Sequence, residues 1–356
     1  MNSSISCAEL FRRVYAEQGL DGSPNLHRTL DRLAGLPVAF VPDKGAIPPE
    51  DLNRHTLFLC RPRGRTVTRC PGSQGHLCCN YLTVDLYLGC TLACAYCIMR
   101  SYLNFSPVTV YLDPEPALQE LRRLARRNPD RMVRAGTGEV GDSLLLDPLF
   151  GLSETFIRAL APYPNVYFEL KTKSHYVDHL LEIEEKGNAV IGFSLNPQRI
   201  IDTYEGTASS LKQRLAAARK AAESGYLISF HFDPVLSADD GMGEYLQLIA
   251  ALDGIPEDRV AWISLGTFRY TAELKHRLGE TQLLYEEFVL CRDGKYRYMQ
   301  KTRSRLYQAL HRELRRRFPA PIYLCMESPA VWRNVFGAVP REIPGVSAIF
   351  RPIRGL

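Results

Sequence analysis

Short β-branched runs alternate with longer helical patterns from residue 82 onward, and this alternation restricts the chain to very few architectures. The strand candidates are LTVDLYL (82–88), RMVRAG (131–136), NVYFELKT (165–172), AVIGFSL (189–195), YLISFHF (226–232) and VAWISLG (260–266). Between them PALQELRRLARR (116–127), LSETFIRALA (152–161), YVDHLLEIEEKG (176–187), SSLKQRLAAARKAAESG (209–225) and MGEYLQLIAALDG (242–254) carry helical spacing. The last two end in glycine, as helix C-termini often do. Strand–helix units in series imply a parallel sheet with right-handed crossovers. Strands that are apolar throughout suit a sheet covered on both faces. The fold class is therefore α/β; a closed or partial barrel and an open doubly wound sheet fit the pattern equally.

A chain of 356 residues buries a large core in one elaborated domain or two. Hydrophobic content of 46% and charged content of 23% are ordinary for a soluble globular protein. The opening MNSSISCAELFRRVYAEQ reads as a polar start and then an amphipathic helix, without a signal-peptide pattern. No apolar run is long enough to span a bilayer. A cytoplasmic monomer with no membrane partner is expected. The net charge of +5 is concentrated in RPRGR (61–65), RRLARR (122–127), KTRSR (301–305) and RELRRRF (312–318). Such clusters permit DNA or another nucleic acid as partner, although RRLARR and RELRRRF read more readily as solvated helix faces.

In parallel β/α folds ligands sit beyond the carboxyl ends of the strands. At those ends the chain places GCTLAC (89–94), GTGEVGD (136–142), KTKSH (171–175), SLNP (194–197), HFDP (231–234) and SLGT (264–267). Glycines and polar residues thus gather at one rim after six successive strands, which marks an active site.

Cys90, Cys94 and Cys97 fall in one loop with spacing C-x3-C-x2-C. In a reducing compartment grouped thiols bind metal or do chemistry more often than they form disulfides. Structural zinc prefers four ligands from paired knuckles, and the fourth is missing from this loop. A 4Fe–4S cluster held by three cysteines keeps one iron open for a cofactor or substrate. With Tyr96 before the last cysteine, a strand in front and five strand–helix units behind, the triplet resembles the cluster motif of radical S-adenosylmethionine enzymes. That resemblance implies a 4Fe–4S cluster, S-adenosyl-L-methionine bound at the open iron, an external electron donor of flavodoxin or ferredoxin type, and a 5′-deoxyadenosyl radical as the oxidising species. GTGE (136–139) resembles the motif by which such enzymes bind the methionine ammonium, with Glu139 as its partner. Lys173 is a candidate partner of the cofactor carboxylate. Ser194 and Asn196 either bond the carboxylate or ribose or cap the next turn, and Asp233 either contacts ribose or substrate or holds a turn.

Seven further cysteines remain: Cys7, Cys60, Cys70, Cys78, Cys79, Cys291 and Cys325. Packing is the expected role of each, with Cys70, Cys78 or Cys79 reaching the active site.

From about residue 36 to about 336 the chain resembles the spore photoproduct lyase family. The resemblance is carried by LFLCRPRGRTVTRCPG (57–72), the cluster loop, TKSHYVDHLL (172–181), GFSLNP (192–197), GTASSLKQRLAAARKAAESGY (206–226), ISLGTFRY (263–270) and YLCMESPAVWRNVFG (323–337). It implies a partial (β/α)6 barrel over 81–270, an N-terminal α/β extension over 1–80 and a C-terminal extension over 271–356. It also implies repair of a methylene-bridged thymine dimer in DNA by hydrogen abstraction. Cys90, Cys94 and Cys97 match the cluster ligands; Asp142, Lys173 and Ser194 match cofactor-contacting positions; Tyr96 matches an aromatic beside the third cysteine. Two positions depart from the pattern. Glu139 stands about where the family carries a hydrogen-donating cysteine, and Ile98 replaces a tyrosine of the same relay. Tyr96 and Glu139 are accordingly the catalytic candidates. Two alternatives stand beside lesion repair: radical modification of a different substrate (nucleotide, RNA or peptide), or a non-catalytic cluster-containing nucleic-acid-binding protein.

Overall fold

The computed structural model describes residues 7–102, 107–237 and 241–356; the Cys7 side chain lies outside the described part. Strands β1 (Arg13–Glu17), β2 (Val38–Val41) and β3 (Thr56–Cys60) open a first sheet, and β4 (Val67–Arg69) and β5 (Leu82–Val84) begin a second. Strands β6 (Tyr87–Leu88) and β7 (Val108–Tyr111) return to the first, which runs β2-β1-β3-β7-β6. Then β8 (Val133–Thr137), β9 (Val166–Thr172), β10 (Ala189–Ser194), β11 (Leu227–Val235) and β12 (Val260–Thr267) add to the second sheet one after another. A small antiparallel sheet of β13 (Arg269–Thr271), β14 (Phe288–Leu290) and β15 (Lys295–Tyr298) follows. Finally β16 (Ile322–Leu324) completes the order β16-β12-β11-β10-β9-β8-β5-β4.

That order decides between the two architectures left open by periodicity. A doubly wound sheet reverses its strand order at a switch point. Here the order never reverses, and every pair from β5 to β16 is parallel. Crossovers of one hand then leave the helices on one face while the sheet curls around the other. Helices Glu115–Arg127, Leu152–Leu160 and Leu211–Glu223 pack against β8, β9 and β10–β11 in this way. The result is a partial barrel, open between the antiparallel edge strand β4 and β16.

The two-residue period of a strand sorts the barrel wall. Phe168 points outward and stacks on Phe156 of helix Leu152–Leu160, with ring centroids 4.8 Å apart. Glu169 and Lys171 take the opposite face, so the inside of the barrel is polar. No helix among the described residues is long and apolar enough to cross a membrane.

Three local expectations change. LTVDLYL is two strands, because the Asp85 amide turns away to the Thr66 carbonyl at 2.9 Å and Tyr87–Leu88 then pair with β7. YVDHLLEIEEKG forms only the 3-10 turn Asp178–Leu180. Val177, Leu180 and Ile183 are buried at intervals of three, which suits 3-10 geometry as well as a helix, and the Leu180 carbonyl is taken by the Tyr226 hydroxyl at 2.7 Å. The N-terminal amphipathic pattern becomes the 3-10 turn Cys7–Leu10 and strand β1, which is paired on both sides by β2 and β3. Two-sided pairing outweighs the helical spacing there.

Candidate active site

The carboxyl ends of the barrel strands open into a cavity of about 540 Å³. Cys90, Cys94 and Cys97 line it, together with Glu139, Asp142, Lys173, Ser194 and Asp233. Eight of the sequence candidates therefore share one space.

The cluster loop is fixed from two sides. Ala95 N–H donates to the Tyr204 carbonyl at 2.7 Å, and Thr207 N–H to the Leu92 carbonyl at 3.3 Å. Between them Gly206 has φ +58°, and a Cβ there would lie 2.1 Å from the Leu92 oxygen, so only glycine permits this approach. On the other side Gly89 N–H donates to the Val140 carbonyl at 2.9 Å, tying the loop to the segment after β8.

Behind the loop lies a buried polar network. Glu205 and Arg214 form an ion pair with no exposed side-chain surface. The Tyr96 hydroxyl donates to Glu205, and Asn196 Nδ2 donates to Glu205 at 3.0 Å and to the Tyr96 oxygen at 3.3 Å. Tyr245 donates to Asn196 Oδ1 at 2.7 Å, and Arg214 Nη1 reaches the Ser194 carbonyl at 2.8 Å. Tyr96 and Asn196 thus belong to the support of the loop and do not line the cavity. Glu205, Arg214 and Tyr245 carry that support unannounced; Arg214 stands in the GTASSLKQR run, where Ser210 and Gln213 form a capping box, and Tyr245 in the helical stretch 242–254.

Asp142 is also committed to the framework. Its Oδ1 accepts from Thr172 Oγ1 at 2.7 Å and from the Leu144 and Leu145 amides, and its Oδ2 accepts from the Lys173 amide at 2.7 Å. It joins the loop after β8 to the end of β9. At Gly138, φ +94°, a Cβ would meet the Lys171 backbone oxygen at 2.7 Å, which explains the glycine of GTGE.

The opposite wall holds residues that sequence reasoning passed over. Lys171 forms an ion pair with Glu139, and its ammonium lies 4.5 Å from the Tyr81 ring centroid. Lys171 could have been found by stepping two residues from Lys173 along β9. Asp233 is held by Arg269 at 3.1 and 3.3 Å, and the neighbouring Gly266 leaves room for it: a Cβ there would lie 2.5 Å from Asp233 Cγ. Cys70, Cys78, Cys79 and Cys325 line the cavity too, whereas Cys60 sits apart among Tyr15, Val41, Ile47 and Phe58. On the cavity floor Glu169 accepts from Ser229 at 2.5 Å and from Trp262 at 3.0 Å and pairs with His231 at 2.7 Å. Burial opposes its charge, but His231 and Arg134 outweigh it and hold Glu169 down at about 2.

The electrostatics of the cluster wall call for a positive guest. Burial pushes the Cys94 thiol up to about 12 despite Lys173, and burial followed by Asp142 pushes Cys90 well up. Burial works against the Lys173 ammonium, yet Cys94 and Glu205 together hold its pKa above the ordinary value. Iron would supply the charge these sulfurs need as thiolates. No three His, Cys, Asp or Glu side chains among the described residues converge as ligands of a single ion. A cluster makes a different demand, since each thiolate takes its own iron and the sulfurs need not meet at a point. The donor set therefore fits a cluster.

A half-barrel with three thiols at the carboxyl ends of its strands has the layout of radical S-adenosylmethionine enzymes, and the comparisons with known proteins narrow this. The model of a family described as spore photoproduct lyase matches residues 77–323. The spore photoproduct lyase of Geobacillus sp. (strain Y412MC61) is 25% identical over 252 residues, which span 67% of this chain and 74% of that protein. That of Bacillus subtilis (strain 168) is 26% identical over 172 residues, 48% of this chain and 50% of that one. A solved spore photoproduct lyase variant superposes with TM-score 0.77 at 21% identity, covering 88% of this chain and 98% of its own. Another, with bound S-adenosylmethionine and dinucleoside spore photoproduct, gives TM-score 0.75 at 20% identity over the same shares. The chain belongs to the spore photoproduct lyase family, and with it to the lyase-type radical S-adenosylmethionine enzymes.

The positive clusters 122–127 and 312–318 lie on helices Glu115–Arg127 and Gln300–Arg317. Several of their arginines pair with carboxylates, as Arg122 does with Glu115, Arg123 with Glu120 and Arg316 with Glu313.

Proposed function

We propose that this chain holds a 4Fe–4S cluster on Cys90, Cys94 and Cys97, binds S-adenosylmethionine beside it, and opens a methylene-bridged thymine dimer in DNA. When bound, the cluster and cofactor supply one-electron chemistry and a carbon radical able to abstract hydrogen. The observation that carries the reading is the gathering of three cluster thiols, Glu139, Lys173, Ser194 and Asp233 around one cavity of about 540 Å³. A relative that shares this fold was solved with S-adenosylmethionine and dinucleoside spore photoproduct bound.

Each residue then has a task. Lys173 neutralises the cofactor carboxylate, Ser194 bonds carboxylate or ribose, and Glu139 receives the methionine ammonium, exchanging part of its bond to Lys171. Asp233, fixed by Arg269, meets ribose or substrate. Asp142 keeps the two loops in register, while Tyr96 and Asn196 hold the cluster loop from behind. A low-potential protein donor of flavodoxin or ferredoxin type provides electrons, and the protein works as a cytoplasmic monomer.

A second reading has one observation in its favour: a carboxylate paired with Lys171, not a thiol, occupies the cavity at residue 139. Radical modification of another substrate, a nucleotide, RNA or peptide, accommodates that difference. Anaerobic reconstitution with S-adenosylmethionine and dithionite, with and without dinucleoside spore photoproduct, separates the two. Deoxyadenosine together with thymine product supports repair; deoxyadenosine without it favours the second reading; neither product defeats both.

A further inference from the structure

We propose that Cys78, flanked by Cys70 and Cys79, is the hydrogen-atom donor that quenches the product radical in this cavity. The inference rests on the radical reading above and adds the residue that ends the reaction. A carbon radical left on the substrate must take a hydrogen atom, and Glu139 is a carboxylate engaged with Lys171. A carboxylate has no O–H to give, and a carboxylic acid O–H does not give hydrogen atoms to carbon radicals as a thiol does. The cavity nevertheless has a second set of thiols on its other wall.

That set is built into the fold. Cys70 N–H donates to the Tyr81 carbonyl at 2.8 Å, so the ends of the 70–81 loop are tied together. Leu77 N–H donates to the Glu327 carbonyl at 2.9 Å, which fastens the segment to the chain beyond β16. Gly72 lies against Cys78, since a Cβ there would be 3.5 Å from the Cys78 sulfur. Within this frame Cys70, Cys78 and Cys79 line the cavity together, close enough for each to act on the charge of the others.

The three thiols divide the labour. Hydrogen bonding with Cys78 lowers Cys70 and Cys79 against burial, and Arg134 and Lys171 favour the charged form at Cys79. The same bonds push Cys78 strongly up, so Cys78 keeps its S–H at neutral pH. Lys171, Arg134, Lys295, Tyr323 and Cys325 are other titratable groups acting on this set. In the step, the S–H bond of Cys78 breaks, a C–H bond forms on the substrate radical, and the unpaired electron moves to sulfur with no net change of charge. The thiyl then lies against two sulfurs able to share its unpaired electron. One electron from the flavodoxin- or ferredoxin-type donor and one proton from solvent restore the thiol. Cys325 also lines the cavity, but after burial Asp233 and Arg269 act on it most, and Cys79 and Cys70 less.

Two measurements decide the assignment. Holoenzyme turned over on dinucleoside spore photoproduct in deuterated buffer is expected to place solvent deuterium in the thymine product. Cys78→Ser should reduce deuterated product to background while deoxyadenosine still forms, and Cys60→Ala, away from the cavity, should leave both unchanged. Deuterated product that survives Cys78→Ser, or disappears with Cys325→Ala, overturns the proposal. The second measurement needs no cofactor: the pH profile of iodoacetamide alkylation at Cys70 and Cys79, read by mass spectrometry. Both should react at lower pH in the wild type than in Cys78→Ala, where they shift toward the ordinary thiol value of about 8.5. Profiles near the ordinary value already in the wild type mean that the three thiols are not coupled, and the proposal falls. If the wild type yields deoxyadenosine but no thymine product, spore photoproduct is the wrong substrate and the alkylation profiles alone decide. If it yields no deoxyadenosine, the radical reading fails and the donor assignment falls with it.

Discussion

The two walls of the cavity are held in different ways. On one, the cluster loop rests on Glu205, Arg214, Tyr96, Asn196 and Tyr245, whose polar atoms satisfy one another out of contact with water. On the other, Glu139, Lys171, Cys70, Cys78 and Cys79 line the cavity, and the Glu139–Lys171 pair keeps partial access to solvent. The first wall is a framework, rigid because breaking any member strands a buried charge or hydrogen bond. The second is chemistry waiting for a partner. A family can keep the first wall and alter the second without losing the fold.

The comparison breaks most completely at the cysteines. Cys90→Ala, Cys94→Ala and Cys97→Ala should each abolish an iron content of about four per chain after anaerobic reconstitution. Cys291→Ala, in the turn between β14 and β15, should leave it unchanged. Iron analysis and the visible absorption of the chromophore check this. Zinc bound in its place would show that the loop serves another metal.

The next largest effect falls on the framework. Glu205→Ala leaves the Arg214 guanidinium buried without its carboxylate and removes an acceptor from Tyr96 and Asn196. A loss of about 3–5 kcal/mol is expected for breaking one side of a buried pair, measured by urea unfolding. Removing both charges in Glu205→Gln, Arg214→Met should recover part of it, since the uncompensated charge goes too.

How much of this was legible in the sequence follows the same division. Strand ends and cysteine spacing pointed to the cavity, because glycines, lysines and acids at the rim of a parallel barrel have no packing reason to collect there. The order of the sheet was not legible: order depends on which edge each new strand joins, and no local pattern encodes that. Tyr96 and Asn196 looked like ligand contacts because a polar residue beside a loop reads the same whether it faces the cavity or the core. Only their partners, Glu205 and Arg214, separate the two cases, and those lie 9 and 18 residues or more away. Residues 176–187 show the converse. Their apolar spacing of three was compatible with a helix, and the Tyr226 hydroxyl on a distant segment took a carbonyl that a helix needs.

Acid unfolding sharpens the view of the barrel floor. Glu169 is held at about 2 against an ordinary 4.5, mainly by His231 and Arg134 acting against burial. A carboxyl whose folded value is depressed contributes stability that is present above the unfolded value and lost as pH falls through the folded one. Stability should therefore decline from about pH 4.5 toward pH 2 in the wild type, and the slope should flatten in Glu169→Gln. An unchanged acid limb in that variant would move the effect to other carboxylates.

The smallest effect on folding, and the most informative contrast with Glu205, belongs to Glu139→Gln. Glu139 is also a carboxylate paired with a cation, but its side chain is 31% exposed and that of Lys171 17%, whereas Glu205 and Arg214 show none. Water screens the first pair, so its removal should cost less than about 1 kcal/mol of stability. Binding should respond more: losing a charged acceptor for the methionine ammonium weakens S-adenosylmethionine by about 1.5–3 kcal/mol, or roughly ten- to a hundred-fold. Calorimetric titration of the reconstituted protein measures the second and urea unfolding the first. If stability falls as far as in Glu205→Ala, the second wall is framework as well. If affinity is unchanged while stability holds, Glu139 faces the substrate instead of the cofactor.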